Sequence, residues 1–113
     1  KGCRIVGVLD RDNKKIGKKA GGNLNLRVED ISYITEFIEN YPEKIETAIL
    51  SVIKEQAQIA AEILVAAGIK AILNMTTYKL ELSEKTAVVN IDISAKLQEL
   101  NFWRLNLTGR EEE

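Results

Sequence analysis

The chain has 113 residues, 45% apolar and 29% charged, enough for one hydrophobic core beneath an ordinary polar surface. Its 16 Lys and Arg against 17 Asp and Glu leave a net charge of -1, so no overall basic field draws this segment to nucleic acid or to an anionic membrane, and DNA, if bound, is bound by other residues. With no His and a single Cys, an intrachain disulfide, a Cys/His zinc cluster and Ser-His-Asp or Cys-His catalysis are all excluded.

No apolar run reaches the roughly 18 residues of a membrane span and no secretory-type apolar segment opens the chain, so the expected compartment is the cytoplasm. The chain starts at Lys1 without Met, enters a strand almost at once, and reads as an excised piece. Cys3 to Leu9 (CRIVGVL) is a β-branched run without alternation, as expected of a strand covered on both faces in a parallel sheet. Asp10 to Asn23 is polar and Gly-rich, a surface loop at the strand end. Leu24 to Val28 is a candidate short strand. Glu29 and Asp30 then suit the positive end of a helix carrying Ile31, Ile34, Phe37 and Ile38 and stopping near Tyr41, before Pro42.

Thr47 to Val52 is a second buried strand. Glu55 to Ala67 is a helix with Ala57, Ala60, Ala61 and Leu64 on one face and Gly68 as its terminator. Ile69 to Leu73 and Val88 to Ile91 supply two more strands. Strands alternating with helices imply parallel neighbours joined by right-handed crossovers, hence an α/β fold with a Rossmann-like, doubly wound, mainly parallel sheet. The last helix, Ile93 to Leu107, carries Ile93, Leu97, Leu100, Trp103 and Leu107 at spacings of three and four, widened by Phe102 and Leu105. That stripe packs either on its own sheet or on another protomer, and its breadth favours the second. Gly109 is expected to end the helix, leaving Glu111 to Glu113 as a solvated tail.

In doubly wound folds the ligand lies across the carboxyl ends of the strands, which here are followed by Asp10, Ser51 to Ile53, Asn74 to Thr77 and Asp92. An acid at such a position can accept hydrogen bonds from both ribose hydroxyls of an adenosine. Asp10 fits that role, with a turn cap as the alternative, and its charge argues against a 2′-phosphate unless Arg11 offsets it. Asn74 and Thr76 offer neutral donors and acceptors suited to a carboxamide, a ribose or simply a turn. Lys14, Lys15, Lys18 and Lys19 form a basic cluster that reads first as a solvated loop face and second as a phosphate or DNA contact. No G-x-G-x-x-G occurs, and Gly21-Gly22 does not sit between a buried strand and a helix. If this is a dinucleotide domain, its first βα unit is absent. No nucleophile is paired with a base. A dehydrogenase fragment would have to draw its proton donor from Tyr78, Lys79 or a carboxylate.

Read in order, these segments resemble a known family. Asp10-Arg11-Asp12-Asn13-Lys14-Lys15-Ile16-Gly17 resembles the D-x-D-P-x-K-I-G segment of Rex-type redox-sensing transcriptional repressors, and Ala48 to Val52 (AILSV) resembles their next core strand. Ala67 to Asn74 (AGIKAILN) is similar to their A-G-I-K-x-I-L-N, and Val89 to Ile93 (VNIDI) with Leu97-Gln98-Glu99-Leu100 to their N-V-D-L…L-Q-x-L ending. Asn13, Ile53 and Met75-Thr76-Thr77 depart from the family pattern. The resemblance implies an intact homodimer with an N-terminal winged-helix domain that binds operator DNA and lies outside this chain, a Rossmann domain binding NAD(H), and a terminal helix exchanged between protomers. It further implies that NADH releases the operator and that no reaction is catalysed. Residues 1–92 would form the NAD(H)-binding part and 93–113 the dimerisation helix with its tail. Asp10 would hold the adenosine ribose, Ser51, Val52, Asn74 and Thr76 would line the cofactor cleft, and Asp92 and Ile93 would couple cofactor to DNA binding. Leu97, Leu100, Trp103 and Leu107 would form the dimer interface. A coenzyme A-binding type of nucleotide domain shares this hydrophobic pattern and is the main alternative.

Overall fold

The computed structural model describes residues 4–21 and 25–112. In chain order the elements are β1 (Val8–Asp10), β2 (Val28–Asp30), a 3-10 turn (Ile31–Tyr33), α1 (Ile34–Asn40), β3 (Thr47–Leu50), α2 (Lys54–Ala66), β4 (Ala71–Asn74), β5 (Ala87–Asn90) and α3 (Ile93–Glu112). They form two compact units, Lys1–Ile45 and Glu46–Glu113, each with its own parallel sheet. The expected Rossmann-like α/β class is what these parallel strands and intervening helices make.

In the first unit β1 pairs β2 from Val8↔Val28 to Asp10↔Asp30. The expected Cys3 to Leu9 strand is cut to three half-buried residues, with Cys3 outside the described part. The second strand starts at Val28 because the residues before it are paired elsewhere. Val28 N donates to Lys18 O at 2.8 Å, Gly17 N to Val28 O at 2.7 Å and Ala20 N to Leu26 O at 2.8 Å. The polar stretch after Asp10 is therefore only partly a loop. Gly17 turns the chain at φ 85°, and an antiparallel bridge joins Lys19 to Arg27. Of the expected Leu24 to Val28 strand, Leu24 lies outside the described residues.

Asp30 ends β2 and starts the next element, its carboxylate accepting from Ser32 N at 3.0 Å, the usual device for an unsatisfied N-terminal amide. The expected helix thus begins as a 3-10 turn and continues as α1, with Ile34 buried. It stops at Asn40 because the residue before Pro42 is pushed to extended geometry, seen as Tyr41 at φ −73°, ψ 136°. Arg4 pairs with Glu43 at 2.6 Å beside Tyr41, contacts that raise the pKa of its guanidinium. Both partners are exposed, and such a pair contributes little to stability.

Phe37 explains Gly7. A Cβ at that position would lie 2.5 Å from the Phe37 Cζ, so the ring occupies space that only glycine leaves open. Gly7→Ala is expected to destabilise the protein by about 1–3 kcal/mol through overpacking, read as a lower urea midpoint at unchanged slope.

The second unit holds β3-β4-β5, all parallel, with α2 as the crossover from β3 to β4. Ala57, Ala61 and Leu64 of α2 are buried together with Leu50 and Ile72, so small alanines let the helix approach the sheet closely. Ala60 is half-buried. The strand expected to be covered on both faces is covered on one. Leu50 is buried, whereas Ile49, on the opposite face by strand alternation, and Val89, in the same row, are exposed.

The end of α2 is fixed by Gly68. Gly68 N donates to Val65 O at 3.0 Å and Ile69 N to Leu64 O at 3.0 Å, with Gly68 at φ 107° and Leu64 and Ile69 both buried, which is the Schellman arrangement. Gly68→Ala is expected to lower stability by about 1–2 kcal/mol, seen as a reduced thermal midpoint, because an L side chain disfavours this left-handed backbone.

The last helix is longer than its sequence suggested, passing through Gly109 to Glu112. A glycine inside a helix costs only about 1 kcal/mol relative to Ala, less than the bonding of a continuous ladder supplies. Glu111 and Glu112 are thus its last turn rather than a free tail, and Glu113 lies outside the described residues.

Candidate functional site

The equal lengths of β3, β4 and β5 bring their carboxyl ends level, with Leu50 opposite Asn74 and Asn74 opposite Asn90. Asn74 is 1% exposed, the buried polar residue of the described core, and every bonding position of its amide is used. Its Nδ2 donates to Tyr78 O at 2.8 Å and to Asn90 Oδ1 at 3.0 Å. Its Oδ1 accepts from Thr76 N at 3.0 Å and Thr76 Oγ1 at 2.7 Å. Thr76 Oγ1 in turn accepts from Tyr78 N at 3.1 Å. The 75–78 turn is therefore wound around one buried amide.

Met75 N donates to Leu50 O at 3.0 Å, which seats this turn against the end of β3, where Ser51 and Val52 are exposed. Ile53, the N-cap residue of α2, makes no side-chain cap, and its carbonyl accepts from Gln56 N at 2.9 Å, so the helix starts at the same edge. Two residues beyond Asn90, Asp92 caps α3, accepting from Ala95 N at 3.0 Å, and Ile93 follows partly exposed. Of the residues expected to form the site, Ser51, Val52, Asn74 and Thr76 are gathered at one polar edge of the second unit, and Asp92 and Ile93 follow its last strand.

Asp10 sits at the end of β1 in the first unit. One carboxylate oxygen accepts from Arg11 N at 2.7 Å and Asp12 N at 3.1 Å, and the other lies 3.9 Å from Lys15 Nζ. It is thus a turn cap that keeps one oxygen turned toward a lysine. Lys14, Lys15, Lys18 and Lys19 are all exposed. An open groove in this unit runs along Leu26 to Asp30 towards Tyr33, and Asp10 is not part of its lining.

The residue that sequence reasoning missed is Asn90. Its signal was available: an Asn closes β4 and another closes β5 at the same register, 16 residues apart.

Parallel strands, an α-helical crossover and polar side chains collected at the strand carboxyl ends define a Rossmann-like α/β class. Residues 1–78 match the family model described as the CoA binding domain, and the chain belongs to that family. The Rex-type resemblance is borne out by its relatives. The chain is 43% identical over 102 residues to the redox-sensing transcriptional repressor Rex 1 of Thermotoga maritima, covering 90% of this chain and 46% of that protein. It is 41% identical over 108 residues to the redox-sensing transcriptional repressor Rex of Thermus thermophilus, covering 96% and 48%. The chain therefore spans about half the length of the curated relatives it matches. Among solved structures it is similar to RSP, a Rex-family repressor, in complex with β-NADH, at TM-score 0.70 and 31% identity over 94% of this chain and 48% of that one. RSP in complex with β-NAD+ and operator DNA gives TM-score 0.69 and 30% identity over 94% and 46%. Among the described residues, no helix is long and apolar enough to cross a membrane.

Proposed function

We propose that this segment is the NAD(H)-sensing and dimerisation part of a redox-responsive transcriptional repressor, in which NADH binding releases the operator. The observation that carries this reading is the likeness, in sequence and fold, to repressors solved both with NADH and with NAD+ on operator DNA. The residues fit such a ligand. Among the described residues the second oxygen of Asp10 meets Lys15 Nζ at 3.9 Å, beyond hydrogen-bond reach, so it can accept from ribose hydroxyls, while its charge disfavours a 2′-phosphate. Ser51, Val52 and Thr76, with the buried Asn74 amide behind them, form an uncharged edge suited to the nicotinamide half. When bound, the dinucleotide supplies an oxidation state to be read, and the chain needs no catalytic residue to read it.

Asp92 and Ile93, which join that edge to α3, couple ligand to partner in this reading. Residues 1–92 hold the cofactor, and residues 93–113 bring two protomers together. Operator DNA is contacted by a winged-helix domain outside this chain, consistent with the net charge of -1. The working compartment of such a repressor is the cytoplasm. NADH acts only to the extent that it binds the released arrangement more tightly than the DNA-bound one.

The family description favours a second reading, a coenzyme A site in which the loop of Lys14, Lys15, Lys18 and Lys19 meets a 3′-phosphate. Operator affinity of the intact protein, titrated with NADH, NAD+ and coenzyme A, separates the two. Release by NADH alone supports the first, displacement of NADH by coenzyme A supports the second, and no effect of any of them refutes both.

A further inference from the structure

We infer that Asn90 contacts the dinucleotide, its Nδ2 donating to a neutral oxygen at the nicotinamide end, with Asn74 as the positioning residue behind it. This rests on the NAD(H) reading above. Asn74 was the residue whose type suited a carboxamide, but a 1%-exposed amide with two donors and two acceptances already committed has nothing left to offer a ligand. What it does instead is orient its neighbour. Asn74 Nδ2 donates to Asn90 Oδ1 at 3.0 Å, and because an amide is planar with a distinct oxygen and nitrogen end, that bond dictates which end of Asn90 carries the NH2 group. Asn90 is exposed, closes β5 level with Asn74, and gives its Nδ2 hydrogens to no described residue.

The result is an oriented, solvent-facing donor on the edge that also bears the 75–78 turn and the Ser51-Val52 strand end. Being uncharged, it suits a carboxamide carbonyl or a ribose hydroxyl oxygen better than a phosphate, which is best met by cations or helix amides. A donor whose orientation is fixed beforehand loses little freedom when it binds.

The test uses the intact protein, calorimetric titration with NADH and with ADP-ribose, and the variants Asn90→Ala, Asn90→Asp and Asn74→Asp. Asn90→Asp keeps the oxygen that Asn74 needs, removes the donor and adds a negative charge, whereas Asn90→Ala removes the donor without adding one. Asn74→Asp turns a carboxylate towards Tyr78 O and Asn90 Oδ1 and should lower the thermal midpoint. Both Asn90 variants should weaken NADH by about 10-fold, the value of one hydrogen bond, with Asn90→Asp keeping a near wild-type midpoint. If ADP-ribose is unaffected the oxygen is the carboxamide's, and if it weakens equally the oxygen belongs to the ribose. NADH binding within twofold of wild type in both Asn90 variants would overturn the assignment, as would an Asn90→Asp midpoint as low as that of Asn74→Asp. Wild-type protein that binds neither probe would defeat the NAD(H) reading and this inference together.

Discussion

Asp92→Ala is expected to leave NADH affinity nearly intact while the NADH-dependent release of operator DNA is lost. Asp92 stands between β5, whose end carries Asn90, and α3, whose first turn it caps through Ala95 N and, from its carbonyl, Lys96 N at 3.2 Å. Its side chain is exposed, so it contributes no burial to the core, and its removal does not disturb the packed strands. Coupling between two ligands is typically worth 1–3 kcal/mol, or roughly 5–150-fold in affinity. Erasing it should therefore flatten a change in operator Kd of at least about 5-fold, measured by fluorescence anisotropy with and without saturating NADH. The cap itself is worth about 1 kcal/mol and is kept by Asn, so Asp92→Asn distinguishes charge from capping. Recovery of NADH-dependent release in Asp92→Asn assigns the coupling to the helix start, and continued loss assigns it to the carboxylate. A normal DNA response in Asp92→Ala removes Asp92 from the coupling altogether.

Where the sequence was legible, a local rule agreed with the tertiary packing. Pro42 stopped α1 and Gly68 stopped α2, because each acts on the backbone dihedrals of its own neighbourhood. The alternating strands and helices gave the parallel topology of β3, β4 and β5, and the alanine face of α2 became its buried face. The start of β2 was not legible, since its position depends on pairing between residues 17–20 and 26–28, which polar composition does not announce. Gly109 misled in the opposite direction, because a residue's preference for helix ends is weaker than an uninterrupted ladder.

The site divided the same way. Residue type located the polar strand ends, but not the division of labour among them. Asn74 and Asn90 have the same side chain, and only burial makes one a scaffold and leaves the other a donor. At Asp10 the turn-cap reading is the one observed, with one carboxylate oxygen capping and the other 3.9 Å from Lys15 Nζ, and the ribose reading belongs to the proposal.

Trp103→Ala is expected to convert a dimer into monomers at micromolar concentration. From Ile93 to Leu107 every side chain of α3 is exposed in the single chain, including Leu97, Leu100, Trp103 and Leu107 along one stripe, and Phe102 meets Trp103 edge-on at 5.5 Å. Between Ile93 and Leu107 this 20-residue helix buries no side chain, yet in proteins most helical stability comes from packing an amphipathic face. A second copy of the same helix offers matching apolar surface, and two-fold pairing is the commonest way to bury it. A Trp at the middle of such a stripe has the chemistry of an interface hot spot, for which truncation costs about 2 kcal/mol or more, or roughly 30-fold in dimer Kd. Sedimentation equilibrium of the intact protein over a concentration series reads this directly. Helix content should fall with dissociation, because partner and helix support each other. A dimer that persists unchanged in both Trp103→Ala and Leu100→Glu would mean that α3 does not hold the protomers together, and that its apolar stripe belongs against its own chain.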